Sequence, residues 1–283
     1  MHKLDNISIV ITTLGNSILK NTIDYFYNDI DISSDFEILI TIPQDSKLDL
    51  NISKYKNLKI VKTKFKGQVY QRTEAFKLAS KKFVLQLDDD VEISSKYILN
   101  LKNNLLHLGK DFAISPVFFN KDDKESCIYN LKNNNFLLLV KNLIASIVCK
   151  SKWGLKRSGT VTVVGSNYGV DYDCLKNDII NTEWLPGGCI LHLNKNLILD
   201  DYFPYRGKAY CEDLMHSFLL TNNNIKLCVI KSSRCYTEVP KFPSIFKEKI
   251  NFIRAYRTYY FRFGKLNIRY LIWQSINYFR VIL

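Results

Sequence analysis

Apolar residues follow two patterns along the first 120 positions of the chain. Short continuous runs rich in Ile, Val, Leu and Phe predict buried strands. These runs occupy residues 7–14, 36–42, 58–62 and 83–87. Apolar residues at helical spacing predict helices over residues 18–30 and 67–79. The resulting order of strand, helix, strand, strand, helix, strand is typical of a mostly parallel sheet covered by helices.

The second part of the chain shows a looser pattern. Strands are predicted at residues 112–118, 189–193 and 225–230, and an amphipathic helix is predicted at residues 210–220. Residues 150–183 contain four glycines among polar residues and predict a long irregular loop. Loops of this kind frequently carry functional residues, so this segment is a candidate for a functional loop or lid.

Three carboxylates, Asp88, Asp89 and Asp90, directly follow the fourth predicted strand. Because side chains alternate along an extended chain, Asp88 and Asp90 are expected on one side and Asp89 on the other. Two converging carboxylates repel each other unless they are protonated or share a cation. Mg²⁺ or Mn²⁺ suits such a pair, since it is commonly held by one or two carboxylates together with the phosphates of a substrate such as a nucleotide diphosphate. The alternative is a polar turn before a helix capped by Ser94 or Ser95.

A Trp-Leu-Pro-Gly-Gly segment precedes the predicted strand at residues 189–193. Pro186 and the paired Gly187 and Gly188 predict a sharp turn in which the backbone can approach a ligand closely. Trp184 offers a flat face on which a sugar ring can lie. The alternative is a tight turn whose Trp184 anchors the core.

Two acids, Glu212 and Asp213, stand at the start of the predicted helix at residues 210–220. The helix dipole favours an acid in the first turn by about 0.3–1 kcal/mol, which accounts for one of them without any chemistry. His216 lies three residues after Asp213, on nearly the same helix face, where it could orient that carboxylate or reach a metal. The alternative for His216 is a packed or hydrogen-bonded structural residue.

Composition excludes several classes of protein. A chain of 283 residues with 47% hydrophobic content, including 17 Tyr and 17 Phe, is not a disordered protein. Seven cysteines without a Cys-x-x-Cys pair argue against a zinc site and a disulfide framework, and they fit a reducing compartment. Asp5 and Asn6 interrupt any apolar segment that would resemble a signal peptide. We therefore expect a cytoplasmic protein.

Basic residues are concentrated at the C-terminus of the chain. The net charge is +13, and residues 241–283 alone contain nine basic residues and one acidic residue. These basic residues alternate with Tyr, Phe and Trp, a pattern that predicts amphipathic helices on an anionic membrane surface. Binding of nucleic acid, or packing of the tail on the protein's own core, are the alternatives. No window contains the roughly 18 uninterrupted apolar residues of a membrane-spanning helix.

Five segments in this order resemble the family 2 glycosyltransferases with the GT-A fold, over roughly residues 5–235. The matching segments are residues 7–15, 67–79, 87–90, 184–188 and 212–213. Before its metal motif the family has an Ala-Arg-Asn-x-Gly pattern, of which this chain keeps Arg72 and replaces the Asn and Gly with Thr73 and Ala75.

The resemblance implies an α/β fold with one GT-A (Rossmann-like) domain and a mostly parallel central sheet. The domain would span residues 1–238, with a nucleotide-sugar-binding half at residues 1–118 and an acceptor-binding half at residues 119–238. A basic, aromatic and helical tail would follow at residues 239–283.

The resemblance also implies roles for individual residues. Thr12, Thr13, Arg72, Asp88 and Asp89 would bind the donor. Asp88 and Asp90 would bind the divalent cation, with His216 as a further candidate ligand, and Trp184, Gly187 and Gly188 would shape the acceptor pocket. Asp213 would be the general base, supported by Glu212.

The activity that follows from this resemblance is transfer of a sugar from a nucleotide-diphosphate donor to a hydroxyl of a glycan or lipid-linked glycan. It would invert the anomeric carbon and would serve cell-surface polysaccharide synthesis at the inner face of the membrane, without nucleic acid as a partner. A sugar nucleotidyltransferase is a rival, but residues 12–16 lack the Gly-rich loop with Lys or Arg that it would normally need. A non-catalytic membrane-surface binding protein on the same fold is the second rival.

Overall fold

The predicted alternation in the first half of the chain is confirmed by the structure, a computed structural model. Its elements are β1 (Ile7–Thr12), α1 (Ile18–Tyr27), β2 (Phe36–Pro43), β3 (Leu58–Thr63), α2 (Gln68–Leu78), β4 (Phe83–Asp88) and α3 (Ser95–Leu108). The four strands are parallel and lie in the order β3-β2-β1-β4. Helices α1 and α3 contribute to the core on one face of these strands, and α2 packs on the other through Ala75 and Phe76. Ser94 caps α3, since its side chain accepts a hydrogen bond from the backbone N–H of Tyr97.

The structure describes part of the chain. The described residues are 2–15, 18–48, 51–127, 143, 146–150, 158–172, 175–205, 209–238, 246–263, 268–273 and 275. Parts of the predicted loop at residues 150–183 and of the predicted tail at residues 239–283 lie outside this set.

The second half continues the same sheet. Its elements are β5 (Phe112–Asn120), β6 (Ile179–Thr182), β7 (Cys189–Leu193), α4 (Glu212–Asn222), β8 (Lys226–Thr237) and α5 (Phe246–Phe263). The complete sheet has eight strands in the order β3-β2-β1-β4-β7-β5-β8-β6. Strand β7 lies between β4 and β5 and is antiparallel to both, so it joins the two halves of the sheet.

Two strands differ from the sequence-based prediction. Strand β6 lies within residues 150–183, for which only a loop was predicted. Its four residues, Ile-Ile-Asn-Thr, are too few to show a period, and they form an edge strand antiparallel to β8. Strand β8 continues beyond residue 230 to Thr237, because its polar second part pairs with β5 after a register shift between Pro116 and Val117.

Helix α5, the first part of the predicted tail, is helical as predicted and packs with one face on the domain. Ile253, Ala255 and Tyr260 are buried, and Ala255 belongs to a cluster that includes Trp184 and Met215. The Thr258 and Tyr205 hydroxyls lie 2.7 Å apart, in hydrogen-bond contact. This part of the tail therefore packs against α4 and against Trp184, as the core-packing alternative predicts.

No helix within the described residues is both long enough and apolar enough to span a membrane.

Candidate active site

The carboxyl ends of β1 and β4 bring the first predicted donor residues together. The two strands are parallel neighbours, and Thr12 pairs in register with Asp88. The Thr13 hydroxyl donates to Asp89 Oδ2 at 2.5 Å, and the same hydroxyl accepts the backbone N–H of Gly15 at 3.0 Å. Thr12, Thr13, Asp88 and Asp89 therefore lie at one edge of the sheet, where ligands gather in parallel α/β folds.

The strand that carries the acids ends at Asp88. The backbone N–H of Val91 donates to the carbonyl of Asp88, which places Asp89 and Asp90 in a turn. The predicted directions of Asp89 and Asp90 rest on the alternation of side chains along a strand. Because the strand ends at Asp88, this alternation does not determine their directions. Both carboxylates nevertheless lie close enough to Asp88 to raise its pKa.

Arg72 connects the two acidic parts of the site. It projects from α2, and its side chain is 2% exposed. Its Nη1 donates to Glu212 Oε2 at 2.8 Å, and its Nη2 donates to Asp88 Oδ1 at 3.3 Å. Burial alone would lower the pKa of Arg72, but Glu212 and Asp88 outweigh that effect and raise it, so the guanidinium stays charged. One buried cation thus holds Asp88 from β4 and Glu212 from α4 in a single cluster.

Two further side chains join this cluster, and sequence reasoning did not identify them. Gln68 Nε2 donates to both carboxylate oxygens of Asp88, at 3.3 and 3.4 Å. The Tyr202 hydroxyl donates to Glu212 Oε2 at 2.9 Å. Burial raises the pKa of Tyr202 well above its ordinary value, so the phenol keeps the proton that it donates. Gln68 lies in the predicted helix at residues 67–79 but was given no role there, and Tyr202 reaches the site from a loop.

The Gly-Gly turn brings backbone close to both acids. The Gly188 carbonyl accepts the backbone N–H of Asp88 at 2.9 Å, and the Gly187 carbonyl accepts a hydrogen bond from the Gln86 amide. A side chain at Gly187 would collide with Glu212 Oε1. Glycine at position 187 therefore lets the turn pack closely against Glu212, while close approach of this backbone to a ligand stays a prediction.

Trp184 contributes to the core. It is 9% exposed, it packs in the cluster with Met215 and Ala255, and its indole N–H donates to the Tyr168 carbonyl at 2.9 Å. This environment matches the alternative in which Trp184 anchors the core beside a tight turn. Contact of the Trp184 ring with an acceptor stays a prediction.

Asp213 lies beside Glu212 but has a different environment. It is partly exposed, and its Oδ1 accepts the backbone N–H of Leu214 at 2.9 Å. The preceding residue, Cys211, has a φ of 62°, a conformation that costs about 1–3 kcal/mol in a non-glycine residue and is typically retained at functional sites. The left-handed residue turns the chain into α4, so that Glu212 points inward to Arg72.

Asp88 and Asp213 have strongly perturbed acidities. Burial raises the pKa of Asp88 to about 7, and the Glu212, Asp90 and Asp89 carboxylates raise it while Arg72 lowers it. Burial, and after it the Glu212 carboxylate, raises the pKa of Asp213 to about 7. Two carboxyl groups poised near neutrality in one cluster are the pattern expected of a functional site.

His216 lies behind this cluster. Its ring stacks on Tyr202 at a centroid distance of 5.9 Å and lies 5.4 Å from the ring of His192. Burial lowers the pKa of His216 to about 3, so the imidazole is neutral. Neither ring nitrogen of His216 has a hydrogen-bond partner within the described part of the chain. These contacts resemble the structural alternative, and binding of a metal by His216 stays a prediction.

A divalent cation fits the donor set around Asp88. The carboxylates of Asp88, Asp89, Asp90, Glu212 and Asp213 form one electrostatic cluster, in which Arg72 makes ion pairs with Asp88 and Glu212. Within the described residues, no three His, Cys, Asp or Glu side chains form a complete metal cage. An incomplete carboxylate site is what Mg²⁺ or Mn²⁺ uses when substrate phosphates supply further ligands.

Solved structures share this fold at low sequence identity. GalNAc-T7 with UDP, GalNAc and Mn²⁺ aligns with a TM-score of 0.59 and 13% identity, over 91% of this chain and 49% of that one. TarS residues 1–349 from S. aureus, in complex with UDP-GlcNAc, aligns with a TM-score of 0.55 and 16% identity, over 88% of this chain and 64% of that one. The mannosyltransferase PcManGT from Pyrobaculum calidifontis, in complex with GDP-Man and Mn²⁺, aligns with a TM-score of 0.53 and 12% identity, over 98% of this chain and 69% of that one.

These likenesses confirm the predicted GT-A fold, while this chain spans only about half to two-thirds of the first two of these relatives. No curated protein sequence matches the chain. The family whose model matches is Glycosyl transferase family 2, over residues 8–161, which is more than half of the 283 residues. The chain therefore belongs to glycosyl transferase family 2.

Proposed function

We propose that the protein transfers a sugar from a nucleotide-diphosphate donor to a hydroxyl of a glycan or lipid-linked glycan, with inversion of the anomeric carbon and with a divalent cation. The observation that carries the proposal is the position of Arg72. This residue joins Asp88, at the end of the strand with three acids, to Glu212, which adjoins Asp213. Donor-side and acceptor-side acids are thus within reach of one substrate pair.

The donor side is proposed to consist of Thr12, Thr13, Arg72, Asp88 and Asp89. Asp88 and Asp90 would hold Mg²⁺ or Mn²⁺, which when bound neutralises charge on the donor's diphosphate. The structures of GalNAc-T7 and PcManGT, which contain a nucleotide and Mn²⁺, support this assignment. Arg72 adds a fixed positive charge beside Asp88, where the leaving diphosphate gains negative charge.

Asp213 is proposed as the general base. An acceptor hydroxyl is a poor nucleophile, and a positioned base that takes its proton contributes typically about 10²–10⁴-fold to the rate. As the hydroxyl oxygen forms its bond to the anomeric carbon, the bond from that carbon to the diphosphate breaks and the nucleoside diphosphate leaves with the electron pair. The raised pKa of Asp213, about 7, suits a proton acceptor at neutral pH.

Glu212 is proposed to support Asp213 without reacting. Its carboxylate is already engaged by Arg72 at 2.8 Å and by the Tyr202 hydroxyl at 2.9 Å. Its negative charge is a main reason why the pKa of Asp213 is raised. The Gly187–Gly188 turn lies against Glu212 and would border the acceptor, with Trp184 behind it.

The tail is proposed to hold the enzyme at an anionic membrane surface, near a lipid-linked acceptor. Beyond α5, residues 268–273 are helical, and Ile268, Leu271 and Ile272 are 72%, 53% and 46% exposed. Arg269 adds positive charge to this segment. Flotation with phosphatidylglycerol vesicles tests the idea: I268Q/L271Q/I272Q should remain in the pellet, whereas L106Q/L199Q, which changes exposed leucines elsewhere, should float like the wild type.

The decisive experiment for the catalytic proposal is a screen of nucleotide sugars with and without Mn²⁺. The true donor should raise the melting temperature only with the cation, since a ligand at 100 times its Kd adds about 2.7 kcal/mol to stability. The same donor should be turned over slowly by water or rapidly with an acceptor glycan.

The Asp90→Ala variant is the matched control for that screen, because it should lose cation-dependent stabilisation. Stabilisation by a nucleotide sugar without any turnover, in water or with a panel of acceptors, would favour the non-catalytic binding protein. Release of pyrophosphate from a nucleoside triphosphate and a sugar phosphate would favour the nucleotidyltransferase.

A further inference from the structure

A cleft lined by arginines lies between α5 and the loop that precedes α4. Its volume is about 360 Å³. Among the described residues, those that line it are Pro204, Tyr205, Arg254, Arg257, Thr258 and Arg262. Three of these six residues are positively charged, and no acidic residue is among them.

Two of the guanidinium groups are held in place by neutral partners. Arg254 lies over the Tyr205 ring, 5.0 Å from its centroid, and Arg262 Nη1 donates to the Tyr202 carbonyl at 3.3 Å. Neither contact cancels the positive charge. Arg254, Arg257 and Arg262 are exposed, and positions 254, 257 and 258 recur at helical spacing, so they share one face of α5. Planar guanidinium groups with several donors are suited to phosphate recognition.

The cleft is connected to the active site through Tyr202. The carbonyl of this residue accepts from Arg262 at the cleft, and its hydroxyl donates to Glu212 at the catalytic cluster. The cleft and the catalytic cluster therefore lie at the two ends of one tyrosine residue. None of the six residues belongs to the proposed donor side.

We propose that this cleft binds a phosphate group carried by the acceptor, so that the enzyme glycosylates a phosphate-containing glycan. The inference rests on the proposed function, and it narrows the acceptor to an anionic class. Arg254 and Arg257 supply the forked donors, and Thr258 supplies a hydroxyl at the same surface. Arg262 holds the loop at Tyr202 and thereby relates the position of the phosphate to that of Glu212.

The test is calorimetry in EDTA, which measures the direct binding of tripolyphosphate and of inorganic phosphate. Without a divalent cation the acids around Asp88 repel phosphates, so binding reports on the cleft. The wild type should bind tripolyphosphate, and R254Q/R257Q should bind it about tenfold more weakly through loss of two charge-assisted contacts. R254K/R257K, which keeps the charges but loses the forks, should lie between them. The control K110Q/K226Q removes two exposed lysines near the starts of β5 and β8 and should bind like the wild type.

Several outcomes would overturn the proposal. Equal affinity in R254Q/R257Q and the wild type, or an equal loss in K110Q/K226Q, would mean that the cleft is not a phosphate site. If R254Q/R257Q loses binding to phosphatidylglycerol vesicles but not to tripolyphosphate, the arginines serve a lipid surface instead.

Cation-dependent donor binding in R254Q/R257Q should equal that of the wild type. If the wild type turns over no donor but still binds tripolyphosphate in the cleft, the proposed function is refuted and the phosphate site is not.

Discussion

Asp88 and Asp213 are two carboxyl groups of one cluster, and burial raises the pKa of each to about 7. Their partners differ. Asp88 faces Arg72 and Gln68 and is surrounded by the acids of its own turn, whereas the hydrogen bond of the Asp213 side chain comes from the backbone N–H of Leu214. The first environment has surplus negative charge that a cation relieves. The second leaves a carboxylate beside Glu212 that gains stability by taking up a proton.

In the proposed function, one physical cause, burial, serves two kinds of chemistry because the neighbours differ. A carboxyl group among acids and substrate phosphates suits cation binding, and a carboxyl group whose donors are backbone N–H groups suits proton transfer. Three variants and one pH profile test whether the two ends of the cluster have these separate roles.

The largest effect is expected for Asp213→Asn. The amide keeps an oxygen for the Leu214 N–H but cannot accept the acceptor's proton, so transfer should fall by about 10²–10⁴-fold. Cation-dependent donor binding, measured by calorimetry, should match that of the wild type. Substantial transfer by this variant would remove Asp213 from the mechanism.

The next effect concerns stability. Arg72→Met leaves Glu212 and Asp88 without their buried cation, and loss of one partner from a buried pair typically costs about 3–5 kcal/mol of unfolding free energy. Urea denaturation in EDTA measures this change. Lys54→Met is the matched control, because it breaks the solvent-exposed pair with Asp24, and its midpoint should hardly move. Equal midpoints for the two variants would contradict the central role of Arg72.

The third effect is on pH dependence. The proposed general base, Asp213, must be deprotonated to accept a proton, and its pKa is about 7, so the rate should rise with pH up to about 7 and level off above it. The turnover number should change about tenfold per pH unit on the acidic side, since the deprotonated fraction does so. Saturating cation and donor keep Asp88 ionised during the measurement. A flat profile between about pH 5 and pH 8 would assign the proton to another group.

The smallest effect is expected for Gln68→Met. Its two contacts to Asp88 are long, 3.3 and 3.4 Å, and a hydrogen bond of this kind is worth about 0.5–1.5 kcal/mol. Affinity for Mn²⁺ with the donor should therefore weaken by roughly two- to tenfold, with an unchanged turnover number at saturation. Gln68→Glu places a further negative charge beside Asp88, and in that variant Mn²⁺ should bind no more weakly than in Gln68→Met. A changed turnover number in Gln68→Met would place this residue nearer to the reacting atoms.

Most of the fold in the first half could be predicted from the sequence, because continuous apolar runs and helical spacing each report one element and these elements are parallel neighbours. The predicted strand at residues 189–193 also has the bounds of β7. Its insertion between β4 and β5 could not be predicted, since strand order depends on contacts between distant parts of the chain. The short edge strand β6 has no period to detect.

The residues of the candidate site also divide into those that local sequence patterns indicate and those that depend on distant contacts. Asp88, Asp89, Glu212 and Asp213 were found because acids beside apolar segments are unusual in sequence. The bridge from Arg72 to Glu212 spans 140 positions, and Tyr202 lies in a loop, so neither contact leaves a local signal. Gln86 did leave a local signal, since it is a lone amide within an apolar strand, and its side chain donates a hydrogen bond to the Gly187 carbonyl.

The shared guanidinium has a kinetic consequence. Under the proposed function, an incoming diphosphate would accept hydrogen bonds from Arg72 in competition with Glu212. The loop at Tyr202 and the turn at Gly187, which both contact Glu212, would then adjust around a second substrate. We expect the nucleotide sugar to bind before the acceptor, and the nucleotide to leave last. Product-inhibition patterns would reveal such an obligatory sequence of events.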